Sequence, residues 1–92
     1  MQTRKELISE KYINLKTELE NYIDSNLFPS LDDYEITDII YYLNLYFPKN
    51  QEEEYINTIE KLMKQKQINI TDDDFSTVVN LIIDFINFLN NI

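Results

Sequence analysis

The sequence INITDDDFSTVVNLIIDFINFLNN, residues 68–91, restricts the possible folds more than any other part of the chain. Its β-branched residues are typical of strands, but the run is too long for an ordinary strand. Its polar residues Asn80, Asp84, Asn87 and Asn91 lie on one narrow helical stripe. Thr71 is a good N-cap, and Ile70 and Phe75 stand at the two positions of a hydrophobic staple. We therefore predict a helix from Thr71 nearly to the end of the chain, and we expect it to be the most buried element.

Three further helices are predicted by apolar residues that recur every three or four positions, over residues 3–25, 31–47 and 51–67. Thr3 and Glu6 form a capping box at the start of the first, and Pro48 ends the second. Helices joined by short polar connections favour an antiparallel arrangement. The sequence predicts an all-α fold, a small four-helix bundle, mostly antiparallel, in a single domain over residues 1–92, with the second helix beside the fourth.

The residues that carry most enzyme chemistry are missing. The chain has no histidine, cysteine or glycine, so the commonest general base, the best nucleophile and glycine-rich phosphate loops are all absent. No serine lies in a nucleophile motif. Adjacent acids on a helix point about 100° apart and do not converge on a metal ion. We expect no enzymatic activity, catalytic residue, metal site or cofactor.

The N-terminal residues MQTRKELISEKY contain no apolar signal-peptide core, and no run is long and apolar enough to span a membrane. The lack of cysteine suits a reducing compartment. These features predict a cytoplasmic protein without a membrane partner. A net charge of −9 also argues against direct binding to nucleic acid.

Acidic side chains form three runs: Asp32, Asp33 and Glu35; Glu52, Glu53 and Glu54; and Asp72, Asp73 and Asp74. Each run falls in the first turn of a predicted helix, where carboxylates complement the helix dipole and the free amide groups. Helix-end stabilisation accounts for the third run. It does not account for residues 21–60, where nine acidic residues and one lysine place −8 of the total charge of −9.

Tyrosines accompany these acids in the middle of the chain. A tyrosine has an apolar body and a polar edge, which suits it to protein interfaces, and surrounding acids steer a basic partner. The alternative is that Tyr41, Tyr42 and Tyr46 cover the core and keep their hydroxyls in water. Our candidate partner-binding residues are Asp32, Asp33, Tyr34, Glu35, Asp38, Tyr41, Tyr42, Tyr46, Glu52, Glu53 and Glu54.

The C-terminal INITDDDFSTVVNLIIDFINFL resembles the end of acyl and peptidyl carrier proteins, which are small acidic four-helix domains. That family carries phosphopantetheine on the serine of an Asp-Ser-Leu motif. The matching position here is Glu52, and Ser30 in PSLDD lies too far from the C-terminal match. The resemblance therefore implies a docking or scaffold domain without phosphopantetheine.

The segment PSLDDYEITDIIYY resembles two segments of the small acidic helical immunity proteins of the colicin type, which are separate in that family and fused here. Those proteins use acids and tyrosines on a helical face to block a basic nuclease. The resemblance implies a binding protein that blocks a basic surface, as an immunity protein or a phage-encoded inhibitor of a nucleic-acid-handling enzyme would. A carrier-like scaffold and a homodimeric structural subunit are the alternatives.

Overall fold

The computed structural model describes residues 2–24 and 26–92 and contains the predicted C-terminal helix, numbered α4, at Asp72–Asn90. The Thr71 hydroxyl oxygen accepts a hydrogen bond from the Asp74 amide at 3.2 Å, which satisfies one of the free donors of the first turn. Ile70 and Phe75 both pack against the core, as a staple would. The prediction of a helix rather than a strand is confirmed.

The first helix, α1, spans Arg4–Leu19 and runs antiparallel to α4. The Arg4 guanidinium donates to the carbonyl oxygen of Ile92 at 3.3 Å, so the start of α1 lies beside the end of α4. In the middle of the pair the rings of Tyr12 and Phe85 lie 5.7 Å apart. The backbone of α4 lies close to α1 over the longest stretch and close to α3 (Tyr55–Gln65) over a shorter one. The prediction that the second helix is the neighbour of α4 was therefore wrong, because α1 and α3 take that position.

The predicted end of the first helix was also wrong. The helix ends at Leu19, where tight turns begin with the Asn21 amide donating to the Glu18 carbonyl. The apolar pattern continues to Ile23, which is buried although it is not helical. Apolar side chains reach the core from a turn as well as from a helix, so periodicity overestimated the length. Ser25, the predicted last residue, lies outside the described residues.

The second helix, α2, spans Ile36–Tyr46 and begins five residues later than predicted. The Ser30 hydroxyl oxygen accepts from the Asp32 amide at 3.1 Å, and the Ser30 carbonyl accepts from the amides of Asp33 and Tyr34. A serine that bonds to the backbone just ahead of it stabilises a turn in competition with a helix. The first acidic run therefore precedes α2 instead of forming its first turn.

The third predicted helix is divided. Glu52–Glu54 form one turn of 3-10 helix, and α3 follows it. At its end the amides of Gln67 and Ile68 donate to the carbonyls of Lys64 and Met63, the hydrogen-bond pattern of a Schellman motif. Gln67 has φ 57° in this motif, a left-handed conformation that glycine adopts most easily and that this glycine-free chain gives to glutamine.

The four helices share one core built from apolar side chains and two tyrosines. Tyr12 and Tyr55 are among its largest fully buried side chains. Each hydroxyl has a backbone partner: Tyr12 donates to the Pro29 carbonyl, and Tyr55 donates to the Pro48 carbonyl at 2.7 Å. Among the described residues no buried side-chain polar atom lacks a hydrogen-bond partner. The small all-α bundle predicted from the sequence is confirmed.

Candidate functional site

The first acidic run lies in the turn before α2, next to α1. Asp32, Asp33, Tyr34 and Glu35 are all exposed, and Tyr34 keeps 55% of its surface accessible. They line a shallow cleft together with Lys5 of α1. Glu35 stands at the N-cap position of α2 but makes no side-chain capping hydrogen bond. Glu35 therefore does not satisfy the amides at the start of α2. Lys5 offsets part of the charge of Asp32, Asp33 and Glu35, which we call the turn acids.

One face of α2 points away from the core and carries Asp38, Tyr41 and Leu45. At 100° per residue these three lie on the side of the helix opposite Ile36, Ile39 and Leu43, which are buried. Tyr41 keeps 68% of its surface accessible and Leu45 keeps 62%. We call Asp38, Tyr41 and Leu45 the α2 outer face. Its two large side chains contribute little to the core and stand next to a carboxylate.

Tyr42 and Tyr46 take a different position, on the edge of α2. Their rings lie 4.7 Å apart at 44°. Tyr42 is half-buried and packs against the core, and burial raises its pKa, with a smaller contribution from Tyr46. Tyr46 is more accessible, with 39% of its surface exposed. Tyr42 therefore covers the core, as the alternative interpretation of the tyrosines expected, while Tyr41 does not.

The second acidic run lines another cleft, between the C-terminal end of α2 and α3. Glu53 and Glu54 from the 3-10 turn border it, Leu45 and Tyr46 come from α2, and Lys61 comes from α3. The cleft has a volume of about 780 Å³ and is open to solvent. Glu52 is exposed but does not line it.

The predicted acidic surface is thus divided into two clefts joined by α2. The turn acids share their cleft with Lys5, and the glutamates of the 3-10 turn share theirs with Lys61. Both lysines lie outside residues 21–60, so charge counting along that segment did not reveal them. The α2 outer face carries Asp38 as its acidic residue and has large accessible side chains beside it.

Leu45 was not among the sequence-based candidates, which were all acidic residues and tyrosines. Its helical phase held the missing signal, since it falls on the same side as Asp38 and opposite the buried stripe. Ile56 of α3 is similarly exposed, at 47%. Helical phase measured from the buried stripe would have found Leu45.

The third acidic run behaves as a helix end. Asp72, Asp73 and Asp74 occupy the first turn of α4, and Thr71 caps that turn. Carboxylates there interact favourably with the helix dipole. This run carries no implication for a binding site.

Within residues 2–24 and 26–92, no group of three or more acidic side chains is arranged to hold a metal ion. Over the same residues, no helix combines the length and the apolar character needed to cross a bilayer.

Comparisons of the chain with protein-family models, with curated proteins and with solved structures found no match. The resemblances to immunity proteins and to carrier proteins therefore stay predictions from the residues quoted for them. The geometry of the α2 outer face and its flanking clefts is the basis for a functional proposal.

Proposed function

We propose that this protein is a non-enzymatic binding protein whose acidic surface occupies a basic surface of a partner protein. An immunity protein, or a phage-encoded inhibitor of a nuclease or other nucleic-acid-handling enzyme, would act in this way. The observation that carries the proposal is the α2 outer face, where Tyr41 and Leu45 are exposed beside Asp38 and opposite the core.

Burial in the folded protein does not explain why Tyr41 and Leu45 occupy that face. A side chain that keeps more than 60% of its surface accessible gains little from burial, and the apolar stripe on the other side of α2 already anchors the helix. An aromatic side chain that becomes desolvated in a complex is a typical energetic anchor of an interface. Tyr41 thus has more to contribute to a complex than to the free protein.

Charge indicates the kind of partner. The segment that contains α2 and both flanking acidic runs holds −8 of the net charge of −9. Such a field attracts lysine and arginine side chains and repels phosphates, so it favours a basic protein over nucleic acid. The same field argues against a homodimer through α2, since a second copy would bring the same excess of negative charge to the contact.

Affinity capture tests the proposal. The bait is the wild-type protein, the test baits are Tyr41→Ala and Asp38→Lys, and Asp73→Lys is the control because Asp73 lies at the capped end of α4. We expect a basic protein that wild type and the Asp73→Lys control retain and that both test baits lose. Equal retention by all four baits would contradict a binding role for the α2 outer face.

Light scattering on the purified protein tests the homodimer alternative. We expect the mass of a monomer at micromolar concentration. A dimer that Tyr41→Ala dissociates would replace the proposal with self-association through α2.

A further inference from the structure

The cleft between α2 and α3 combines apolar and charged groups in a defined order. Leu45 and Tyr46 form its α2 side, and Leu62 is a buried residue at its α3 side. Accessible apolar side chains in a concave site favour an apolar group as occupant. We call this site the α2–α3 cleft.

The charges of the cleft are arranged along α3. Glu54, at the N-cap position of α3, lines it together with Thr58 and Lys61 of α3, and their spacing of four and three residues places them on one side. At 1.5 Å per residue, Glu54 and Lys61 lie about 10 Å apart along the axis. Glu53 adds a second carboxylate at the Glu54 end. The cleft therefore has a strongly acidic end and a basic end.

We propose that the α2–α3 cleft binds an amphipathic basic segment of the partner protein. An apolar side chain of the segment packs on Leu45 and Tyr46, and a lysine or arginine meets the carboxylates of Glu53 and Glu54. This inference rests on the proposed function and deepens it, because it assigns the binding to a linear segment that contacts a particular cleft. Lys61 repels basic groups, so the basic side chain of the segment occupies the end of the cleft that carries Glu53 and Glu54.

Charge complementarity excludes other occupants. A phosphate or another anion would meet two glutamates at one end of the cleft, which like-charge repulsion disfavours. A second copy of this chain would bring its own acidic 3-10 turn to the same place. A basic segment gains from the carboxylates and covers Leu45 as well.

The test uses a defined peptide and does not need the natural partner. The probe has about 14 residues, four turns of helix, with leucines on one face and lysines elsewhere. One control peptide replaces the leucines by serine, and another replaces the lysines by glutamate. Binding is measured by calorimetry at about 0.15 M salt, where charges more than about 8 Å away are largely screened.

Two matched pairs of variants separate the cleft from the overall charge. Glu53→Lys and Glu52→Lys make the same charge change in adjacent residues, but only Glu53 lines the cleft. Lys61→Glu and Lys64→Glu do the same one turn apart on α3, where only Lys61 lines it. Circular dichroism checks that each variant is folded.

We expect Glu53→Lys to raise the dissociation constant of the leucine–lysine peptide at least about fivefold, and Lys61→Glu to lower it about two- to threefold. Glu52→Lys and Lys64→Glu should change it less than about twofold. The control peptides should bind at least about tenfold more weakly. Amide NMR shifts on titration should include Leu45 and Thr58.

Equal effects within each pair, or NMR shifts that fall on the turn acids, would overturn the cleft proposal. The proposed function would survive that result if the Tyr41→Ala and Asp38→Lys baits still lose their partner. Conversely, if all baits captured the partner equally while the peptide still distinguished Glu53 from Glu52, the proposed function alone would be contradicted. A change in oligomeric mass on Leu45→Ser, without peptide, would assign the cleft to a second copy and also overturn the proposal.

Discussion

The two most apolar helices, α2 and α4, use their apolar residues differently. In α4 the large side chains face the core or its edge, and Val78 and Ile82 have no accessible surface. In α2 the side opposite the buried stripe exposes Tyr41 and Leu45. Burial in the free protein accounts for the large side chains of α4 and does not account for Tyr41 and Leu45 of α2, whereas Asp38 lies in the first turn of α2.

The acids that precede the two helices differ in the same way. Asp72, Asp73 and Asp74 lie inside the first turn of α4, behind the Thr71 cap. Asp32 and Asp33 lie in a turn that Ser30 organises, outside α2. Similar runs of acids therefore belong to a helix end in one case and to a free surface in the other. Ile82, Tyr12 and Thr71 are residues of the structural kind and Tyr41 and Glu35 are of the free kind, so substitutions in the two sets should affect stability differently.

The largest expected effect is on the core face of α4. Ile82→Asp buries a charge among apolar side chains and should lower the free energy of unfolding by about 3–5 kcal/mol. Tyr41→Asp on the α2 outer face should change it by less than about 0.5 kcal/mol. Urea denaturation measures both. Equal losses would mean that the α2 outer face is structural.

The next effect separates a buried hydroxyl from an exposed one. Tyr12→Phe removes the hydrogen bond to the Pro29 carbonyl and leaves that carbonyl only the longer bond from the Lys16 ammonium at 3.4 Å, which should cost about 1 kcal/mol at neutral pH. Tyr41→Phe, whose hydroxyl is in water, should be neutral. Thermal unfolding of the two variants side by side tests this contrast, and a neutral Tyr12→Phe would contradict it.

Tyr12 also predicts a pH dependence. Burial raises its pKa above the ordinary value of 10.0, and the nearby Tyr42 raises it further. The unfolded chain therefore releases the Tyr12 proton at lower pH than the folded protein does. The free energy of unfolding should keep its full value below about pH 10 and fall above that pH. Tyr12→Phe should reduce the slope of this fall by about 1.4 kcal/mol per pH unit. An unchanged slope in the variant would show that Tyr12 does not control the alkaline transition.

A smaller effect compares the starts of the two helices. Thr71→Ala removes the cap of α4 and should cost about 1 kcal/mol. Glu35→Ala removes a side chain that makes no capping bond to α2 and should cost almost nothing. Denaturant midpoints give the difference, which would vanish if Glu35 stabilised the helix end.

The smallest effect is a gain. Gln67→Gly relieves a left-handed glutamine at the end of α3 and should raise stability by about 0.5–1 kcal/mol. Because Gln67 lies outside the α2 outer face and the α2–α3 cleft, partner binding should not change. A gain in stability that weakened binding would show that the two properties are coupled.

The sequence predicted α4 well because its signals are local. Thr71, the acids and the Ile70 and Phe75 staple all act within six residues. The limits of α1 and α2 could not be predicted from apolar spacing, because Ile23 reaches the core from a turn. Ser30 is a residue type that favours turns, and its hydroxyl accepts a hydrogen bond from the Asp32 amide. The spacing of apolar residues does not measure whether that turn is more stable than a helix at the same place.

The candidate site was predicted in part. The acids and Tyr41 could be selected from the sequence because acidic residues and tyrosines are concentrated in one segment, residues 21–60. It did not reveal that Lys5 and Lys61 enter the two clefts, because only folding brings those helices beside the acids. Leu45 was missed because only acids and tyrosines were considered as interface residues, although its helical phase placed it outside the core.

The association rate with the captured partner, measured by stopped flow at low salt, tests whether the acidic surface guides binding. The variant Asp33→Lys/Asp38→Lys/Glu53→Lys should associate at least about tenfold more slowly, because these acids steer the encounter. Its free energy of unfolding should change by no more than about 1 kcal/mol for each lost helix-end interaction. The control Asp72→Lys/Asp73→Lys/Asp74→Lys should associate at nearly the wild-type rate. An unchanged rate in the first variant, together with a lower melting temperature, would assign its acids to the helix ends and contradict the account.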